Sequence, residues 1–357
     1  MALNKFENTV IHVDAPGMYT TIQDIGRVGY QQYGMPVAGP MDSESYLLGQ
    51  ALVGNVEPVG ALECTVLPPT LTVKGTCIVA FTGADMQPTI NNVVVPRYIP
   101  FVCYEGDIIS GGFSQCGVRM YIAFSGGIDV PEINGSVSTH TKAKIGGLEG
   151  RQLKVGDEFG IKPFTPKDIH MCEYGGEGHN LFNTILYNRG GRYCHEPLRV
   201  VLGDQARHFT EKGIKTFGSK LYTLTMQCDR MGFRFDGPII EHVDSADIIS
   251  DGAVFGSIQV PSDGNPIVLM ADRQTTGGYT KIGTIITADL PRLSQLPVGD
   301  GIHFDIVTIN EAQDIYRTYM KQLQEWLQLA HEQSIYVFKV RNKILKLQYE
   351  IEHSVNP

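Results

Sequence analysis

The stretch Ser250–Tyr279 reads SDGAVFGSIQVPSDGNPIVLMADRQTTGGY, and it contains the pattern that decides the fold. A short apolar run, Ile267–Met270, is bounded by a Pro- and Gly-containing turn on one side and by a polar segment on the other. Such runs are typical of β-strands. Similar runs recur along the chain, for example at Thr9–Val13, Cys77–Phe81 and Leu198–Leu202. The pattern predicts a mainly β fold of barrels or sandwiches rather than a doubly wound sheet.

Few stretches predict helices. Asp42 is suited to cap a helix over Ser43–Val53. A second short helix is predicted over about residues 204–212, with Gly213 as its stop. A third is predicted within residues 289–296.

The chain has 357 residues, which suggests two domains and an appendage. A broken, Gly-rich pattern near residues 165–197 and a change of composition near Asn310 mark the boundaries. We therefore predict domains over residues 1–197 and 198–310 and an appendage over residues 311–357.

The appendage begins with helix-forming residues. Its apolar side chains recur at i, i+3 or i, i+4 spacing, which predicts an amphipathic helix with these residues on one face: Ile315, Tyr319, Leu323, Leu327 and Ala330. Two strands, Tyr336–Val340 and Ile344–Ile351, are predicted to follow it as a hairpin. The appendage is predicted either to dock or dimerise, or to cover the end of a barrel.

Composition and charge exclude several classes of protein. The 42% of hydrophobic residues, with 40 Gly and 19 Pro, indicate a globular chain with many tight turns. The net charge of −9 and the scattered Lys and Arg residues argue against nucleic-acid binding. No apolar run approaches the roughly 18 residues of a membrane span. Met1–Val13 does not resemble a secretory signal, so we predict a cytoplasmic protein.

Several common site motifs are absent. The stretch Gly278–Thr284 lacks the Lys of a phosphate-binding loop, and there is no GxGxxG, GxSxG or zincin motif. The seven cysteines include no CxxC pair, so we predict reduced thiols and no metal site. No biotin-attachment motif occurs in a suitable context, so the chain is predicted to carry no covalent biotin.

The first polar cluster lies within Pro16–Asn55. Thr21, Gln23, Asp24 and Arg27 are close in sequence and flanked by glycines. Hydroxyl, amide and guanidinium groups are those that bind a carboxylate, an amide or a phosphate. The alternative interpretation is a hydrogen-bonded loop clip in which Asp24 and Arg27 pair for structural reasons.

The second polar cluster lies within residues 126–150, a long stretch with little periodicity. Long irregular loops in compact domains are usually functional or disordered. Ser136, Ser138, Thr139 and His140 offer hydroxyls and one titratable ring. The alternative interpretation is an ordered cover loop.

The third and densest cluster combines Arg230 with the stretch Ser250–Tyr279. The strand ending at Met270 is followed by Asp272, a guanidinium, an amide, two hydroxyls and Tyr279. Polar groups presented at a strand end by a rigid scaffold are the usual geometry of a site.

Four long motifs then occur in order: PGMYTTIQDIGRVG at residues 16–29, GGIDVP at 126–131, DRMGFR at 229–234, and the stretch Ser250–Tyr279. Together they resemble the biotin-dependent carboxyltransferase-like family, whose members include allophanate hydrolase subunit 2, the KipI antagonist and one of the 5-oxoprolinase subunits. The resemblance covers about residues 9–308. It implies two cyclophilin-like β-barrels.

The resemblance also implies a function in a complex. We expect a subunit of an ATP-dependent 5-oxoprolinase that hydrolyses the 5-oxoproline lactam to glutamate. Its partners would be a KipI-like, allophanate hydrolase subunit 1-like sibling and a third, LamB-type subunit. One alternative is a carboxyltransferase subunit of a urea carboxylase or allophanate hydrolase-type system that acts with a biotinylated partner. Another is a regulatory protein that antagonises a KipI-like kinase inhibitor.

The sequence departs from the family pattern at a few positions. Ser45, Gly49 and Gln50 stand where Ala, Ala and Asn are expected. Asp251 stands where Glu is usual and Phe255 where Pro is usual. These changes leave the fold prediction intact and leave the substrate open.

Combining residue types with the resemblance, we assign catalytic roles to Asp272, Gln274 and Asp251, with the two carboxylates orienting water or a metal-bound nucleotide. The predicted ligand-binding residues are Arg230, Gln259, Thr275, Thr276, Tyr279, Thr21, Gln23, Asp24 and Arg27. The arginines, including Arg273, are candidates for anion contact, and the amide and hydroxyl groups for holding a small amide substrate. ATP with Mg²⁺ is expected at the level of the complex.

Overall fold

The computed structural model describes residues 9–165, 170–174 and 196–340. The fold is mainly β, as predicted. Most of the predicted boundary segment 165–197 and the predicted strand Ile344–Ile351 lie outside the described residues, and the domain boundaries stay predictions.

Thirteen strands precede residue 196: β1 (Val10–Ala15), β2 (Tyr19–Gln23), β3 (Ala61–Thr65), β4 (Thr70–Lys74), β5 (Cys77–Asp85), β6 (Thr89–Ile90), β7 (Val93–Val94), β8 (Pro100–Cys103), β9 (Ile108–Ser110), β10 (Cys116–Phe124), β11 (Ile128–Asp129), β12 (Glu158–Ile161) and β13 (His170–Tyr174). The later strands are β14 (Leu198–Leu202), β15 (Tyr222–Cys228), β16 (Gly232–Asp236), β17 (Asp247–Gly252), β18 (Ser257–Gln259), β19 (Ile267–Leu269), β20 (Thr276–Tyr279), β21 (Lys281–Ile285), β22 (Gly301–Ile302), β23 (Phe304–Ile306) and β24 (Tyr336–Val340). The strands predicted from apolar runs within the described residues are confirmed, with small shifts at their ends.

Two seven-stranded sheets form the first half of the molecule. Their strand orders are β11-β12-β1-β4-β9-β6-β7 and β13-β24-β8-β5-β10-β3-β2. Apolar side chains from both sheets form one core, in which Ile11, Leu62, Phe81, Phe101 and Ile122 are fully buried. Because side chains alternate along a strand, the second sheet also has an opposite face, and that face carries the polar residues described below.

An eight-stranded, barrel-like sheet forms the second half, in the order β22-β15-β16-β19-β18-β21-β14-β23. Its core contains Val200, Leu224, Phe233, Ile258 and Phe304. Strands β17 and β20 pair only with each other and form a separate two-stranded ribbon beside this sheet.

Four α-helices complete the described structure: α1 (Ser43–Leu52), α2 (Glu211–Phe217), α3 (Leu290–Ser294) and α4 (Ile309–Gln333). Asp42 caps α1 as predicted, since its side chain accepts from the Ser45 N–H. The third predicted helix is confirmed as α3, preceded by a 3-10 turn over Thr287–Asp289.

The prediction of a helix over 204–212 with Gly213 as its stop is wrong. Residues Asp204–His208 form a 3-10 turn. Thr210 then caps α2 by accepting from the Gly213 N–H, so Gly213 lies inside that helix. A Cβ at this position would lie 2.5 Å from the Glu241 carbonyl oxygen, so the glycine permits close packing there rather than ending the helix.

The helix predicted in the appendage is confirmed as α4, which begins with a capping box formed by Thr308 and Glu311. Its residues Leu323, Trp326 and Ala330 are buried in a cluster with α1. The helix therefore covers part of the first half, as one of the two interpretations predicted.

Strand β24 is confirmed but pairs in parallel with β13 and β8, with Phe338 opposite Phe101. Because Ile344–Ile351 is not described, the predicted hairpin stays a prediction. Among the described residues, the cysteines at positions 64, 77, 103 and 228 are free thiols. In the described ranges, no helix combines the length and apolar character required to cross a membrane.

Candidate functional site

The outer face of the second sheet is polar where β2, β3 and β10 lie side by side. In the strand register Thr21 lies opposite Glu63, and Glu63 lies opposite Tyr121. Directly opposite residues of an antiparallel pair share a face, whereas the next residues along, such as Ile22 and Leu62, point into the first core. This places a hydroxyl, a carboxylate and a phenol in one row outside that core.

Arg230 is the centre of a buried charge network on this face. It forms a bidentate pair with Asp272, with Nε–Oδ2 at 3.1 Å and Nη2–Oδ1 at 2.8 Å. It also donates to Glu63 Oε1 at 2.5 Å and to the Gly39 carbonyl at 2.6 Å. The five N–H donors of a guanidinium are thereby largely used within the protein. The three charged residues are at most 6% exposed, so the network joins the two halves of the molecule and leaves Arg230 little capacity to bind an external anion.

Glu63 has hydrogen-bond partners on both carboxylate oxygens. Its Oε2 accepts from the Tyr121 hydroxyl at 2.6 Å and from the Met41 N–H at 2.8 Å. Burial alone would raise the pKa of Glu63, but the positive charges of Arg230 and Arg119 and these hydrogen bonds outweigh it, and the pKa is lowered. Glu63 is therefore ionised at neutral pH.

The pKa of Arg230 is shifted by the same balance. Burial would lower the pKa of Arg230, but the charges of Asp272 and Glu63 outweigh burial and raise it. With Arg119 also acting on Glu63, two guanidinium groups face two carboxylates, and the charges of the network compensate one another. A buried network of this kind is costly to break, because each removed partner leaves an uncompensated charge.

Asp24 and Arg27 hold the long polar loop. The Asp24 carboxylate accepts from the hydroxyls of Ser136 at 2.5 Å and Ser138 at 2.6 Å. Arg27 donates through Nε to the Ile133 carbonyl at 3.2 Å and through Nη2 to the Ser138 carbonyl. As in the loop-clip interpretation, both residues have a structural role, since each of them binds the loop. The interpretation also assumed that Asp24 and Arg27 pair with each other, and the salt bridges among the described residues include no such pair.

Gln23 and Thr21 lie beneath the same loop and are fully buried. Gln23 Nε2 donates to Thr21 Oγ1 at 2.9 Å and to the Thr139 carbonyl at 3.1 Å. Two buried atoms, Gln23 Oε1 and Arg27 Nη1, have no hydrogen-bond partner in the described protein. The first predicted cluster is thus brought to the polar face, but mainly as internal structure.

His140 connects the loop to Asp272. Its Nδ1 accepts from the Ala143 N–H at 3.0 Å, so the ring proton is assigned to Nε2, which lies 3.3 Å from the Asp272 carbonyl oxygen. His140 is 6% exposed. It acts as a positioning residue for the backbone that carries Asp272.

The next residues of the loop lie at an accessible edge of the polar face. The Thr141 hydroxyl is 3.2 Å from the Tyr19 hydroxyl, and both residues are partly exposed. Lys142 Nζ lies 3.1 Å from Asp229 in the second half. Burial is the main cause that raises the pKa of Tyr19, and the charges of Arg230, Asp272 and Glu63 also act on it, so its hydroxyl lies within electrostatic reach of the network.

The ribbon carries a separate group of predicted residues. Asp251 pairs with Gly277 in its register, and its carboxylate accepts from Lys281 Nζ at 2.9 Å and Gln205 Nε2 at 2.8 Å. The hydrogen bond from Lys281 is the main cause that lowers the pKa of Asp251. Thr276 and Tyr279 lie on the ribbon and are exposed.

Gln274 and Thr275 lie in the connection between Asp272 and the ribbon, with Gln274 exposed and Thr275 partly exposed. Arg273 stacks over the Phe255 ring at 5.8 Å and donates to carbonyls of its own half. The structure thus brings Asp272 and Arg230 together but does not bring Asp251 into their network.

Gln259 lies beneath the ribbon and is 3% exposed. Its amide nitrogen has no hydrogen-bond partner in the described protein and lies against Gly277, where a Cβ would collide with it. The glycine therefore makes room for the Gln259 amide. This amide is a donor held at a fixed place between the ribbon and the eight-stranded sheet.

Sequence reasoning missed Glu63, Tyr121 and Tyr19. Glu63 was detectable, since an acidic residue inside the strand ALECT conflicts with a purely apolar role. Tyr19 was detectable from the period-2 alternation with Thr21. Tyr121 carries no such signal, because a tyrosine within MYIAF is also expected in a core.

The described residues offer no ligand set for the metal ion that accompanies a nucleotide. Across the described ranges, no group of three or more His, Cys, Asp or Glu side chains is placed to hold a metal ion. Each of the two predicted catalytic carboxylates forms a salt bridge within the protein, Asp272 with Arg230 and Asp251 with Lys281. No step through ATP is therefore assigned to these residues.

A cavity of about 450 Å³ lies elsewhere, between α4 and the second half. None of the predicted site residues lines it. Its Asp289 lies 2.6 Å from Arg199 and 3.3 Å from Arg292, and Arg292 also lies 3.5 Å from Glu196, so two guanidinium groups are paired with two carboxylates.

Comparisons with known proteins show the family to which the chain belongs. The family model described as carboxyltransferase domain, subdomain A and B, matches residues 33–306. A 5-oxoprolinase subunit from Escherichia coli is 36% identical over 311 residues, which cover 86% of this chain and 95% of that protein. The protein of the same name from Haemophilus influenzae is 32% identical, covering 85% of this chain and 94% of that one.

Two solved structures share the fold. The urea amidolyase of K. lactis matches with a TM-score of 0.78 and 27% identity over 89% of this chain, but this is 20% of that longer chain. The urea carboxylase of Kluyveromyces lactis matches with a TM-score of 0.77 and 28% identity over 89% of this chain and 29% of its own. Both the family and the fold predicted from the motifs are confirmed.

Proposed function

The chain belongs to the family of the carboxyltransferase domain, subdomains A and B, and on that premise we propose that it is a subunit of an ATP-dependent 5-oxoprolinase that hydrolyses the 5-oxoproline lactam to glutamate. The observation that carries the proposal is the similarity to a 5-oxoprolinase subunit over 95% of that protein's length.

The chemistry of the lactam explains why a complex is needed. A lactam carbonyl is a poor electrophile, and phosphorylation of its oxygen by ATP would activate the carbonyl carbon. Water would then add to this carbon, the ring C–N bond would break to release the amine and leave an acyl phosphate, and a second water would hydrolyse the acyl phosphate to glutamate and phosphate. Since the described residues offer no cluster that could hold a metal, we propose that ATP and Mg²⁺ are bound by partner subunits, a KipI-like sibling and a LamB-type protein. This chain would hold and orient the amide.

Within this chain, we propose that Asp272 orients the attacking water and that Arg230 holds the Asp272 carboxylate in a fixed orientation. The bidentate pair leaves lone pairs on both Asp272 oxygens and keeps the group in one orientation. Gln274 and Thr275 follow it directly and are accessible to a ligand. Arg230 has a positioning role here, because its donors are largely used.

The test is to purify the chain together with its partner subunits and measure ATP-dependent glutamate release from 5-oxoproline. Asp272→Asn is expected to lower kcat/KM by about a hundredfold, a typical contribution of a positioned acid–base group. Gln274→Ala is expected to lower it less. Asp263→Asn is the matched control, since Asp263 is exposed and pairs with Arg234 in a distant turn. Full activity of folded Asp272→Asn would contradict the assignment.

A second candidate is the carboxyltransferase portion of a urea carboxylase. The two solved structures favour it, because they are those of a urea amidolyase and a urea carboxylase. The amide and hydroxyl groups would then contact the ureido ring of biotin on a separate carrier. Urea-dependent ATP consumption by the complex, without glutamate release from 5-oxoproline, would favour this function over the first.

A further inference from the structure

We propose that the paired hydroxyls of Tyr19 and Thr141 form the subsite that binds the amide group of the substrate, and that they select amides whose C=O and N–H point to the same side. This inference rests on the proposed function and names the contact that the substrate makes. Lactams and ureas both have such an amide geometry, whereas an ordinary trans peptide bond does not.

The position of the pair is the first argument. Tyr19 lies on the same face of β2 as Thr21, two residues along the strand from the row that contains Glu63, and is paired with Thr65 of β3. Thr141 follows His140, which contacts Asp272. Both hydroxyls are therefore carried by segments that are fixed to the buried network.

The second argument is accessibility. Thr21, Glu63 and Asp272 are at most 3% exposed. Tyr19 and Thr141 are partly exposed. A ligand arriving from solvent can therefore reach these two hydroxyls, while the charged residues behind them are buried.

The third argument is hydrogen-bonding capacity. Each hydroxyl has one donor and two acceptor positions, and the 3.2 Å contact between them uses one donor and one acceptor. One O–H of the pair stays available to donate to a carbonyl oxygen, and lone pairs stay available to accept an N–H. Burial is the main cause that raises the pKa of Tyr19, so its phenol keeps its proton at neutral pH.

The fourth argument is selectivity. A bidentate contact discriminates strongly, because an analogue that lacks the N–H leaves a polar group of the site without its partner.

The experiment uses the assembled complex and two readouts. The first is KM and kcat for 5-oxoproline. The second is binding of 2-pyrrolidinone, of urea and of γ-butyrolactone, which has no N–H, measured by calorimetry. Tyr19→Phe and Thr141→Val are expected to raise KM and to weaken 2-pyrrolidinone binding by roughly three- to tenfold each, the usual effect of one neutral hydrogen bond. We expect a smaller effect on kcat.

Tyr33→Phe is the matched control, because Tyr33 is 76% exposed. Unchanged KM and 2-pyrrolidinone affinity in folded Tyr19→Phe would overturn the inference, and so would equal binding of the lactone and the lactam. If the wild-type complex does not hydrolyse 5-oxoproline but binds urea or 2-pyrrolidinone in a Tyr19-dependent way, the proposed function fails while this subsite stands.

Discussion

Arg230 has a different role from the one its residue type suggested. A guanidinium near a site is a natural candidate for binding an anionic ligand, but here it is surrounded by Asp272, Glu63 and the Gly39 carbonyl. Because the charge of Arg230 is compensated by groups of the protein, its main contribution is to the structure. Its effect on the reaction then comes through the carboxylate that it orients.

We therefore predict that Arg230→Met destabilises the protein by about 3–5 kcal/mol, because it removes the cation that is paired with the two buried carboxylates of Glu63 and Asp272. Urea denaturation at pH 7 measures this. Lys281→Met is the control, since it removes the partner of an Asp251 side chain that is 57% exposed, and it should cost about 1 kcal/mol or less. A loss below about 1 kcal/mol for Arg230→Met would refute the view that the network joins the two halves.

Glu63 should make stability depend on acid pH. Its folded-state pKa lies below the ordinary value of 4.5, so the unfolded chain binds more protons near that pH. The resulting stabilisation is fully present above the unfolded-state pKa of about 4.5 and is lost as the pH falls through the folded-state pKa. Glu63→Gln should be less stable at pH 7 but should lose less stability between about pH 5 and pH 3. Denaturant titrations at several pH values check this, and equal slopes for both proteins would contradict it.

At the scale of elements, the ribbon formed by β17 and β20 depends on one of its two adjacent glycines. A Cβ at Gly277 would collide with the buried Gln259 amide, whereas a Cβ at Gly278 would have its nearest neighbour at 3.7 Å. We predict that Gly277→Ala destabilises the protein by about 1–3 kcal/mol and lowers activity, because Gln259 must move. Gly278→Ala should be close to neutral. Thermal denaturation and the glutamate-release assay compare the two, and equal behaviour would show that Gln259 adapts without cost.

Sequence patterns predicted the elements better than they predicted the site. Strands bounded by Gly and Pro, the Asp42 cap and the amphipathic face of α4 are local signals, and each is confirmed. The failure at Gly213 has a tertiary cause, since the close approach of Glu241 is not visible in the local sequence. The partners of Arg230 follow from how two distant segments pack, and Glu63 lies 167 residues away from it.

The predicted site residues fall into two groups, one at the Arg230 network and one on the ribbon, because tertiary packing separates segments that are close in sequence. Asp272 and Asp251 were grouped because they lie in the same dense polar stretch, but the chain between them forms β18 and β19 and directs one carboxylate to the network and the other to the ribbon. Proximity in sequence indicates shared geometry only where the topology keeps both segments at one edge. Thr21 and Gln23, far away in sequence, proved closer to the network.

At the scale of the whole molecule, buried hydrogen bonds of Gln295 connect the two halves in addition to the Arg230 network. Gln295 is fully buried and makes four hydrogen bonds. Its Oε1 accepts from the Val118 and Arg119 N–H groups at 2.9 Å each. Its Nε2 donates to Asp42 Oδ2 at 2.8 Å and to the Arg119 carbonyl at 2.9 Å. Gln295 belongs to the second half, and it bonds backbone groups of β10 and the Asp42 side chain that caps α1, both in the first half. Separation of the two halves would therefore leave these buried polar groups without partners.

Because the Arg230 network and the Gln295 hydrogen bonds both connect the halves, we predict that the two halves unfold together. Calorimetry of the purified chain should show a single transition whose calorimetric and van't Hoff enthalpies agree. Gln295→Ala should lower stability by about 3 kcal/mol or more, since several buried donors and acceptors lose their partners at once. Gln328→Ala on the exposed side of α4, where Gln328 bonds only Glu332 among the described residues, should change it by less than about 0.5 kcal/mol. Two resolved transitions in the unmodified protein would show that the halves are independent, and the buried polar face between them would then have to be explained by the reaction rather than by folding.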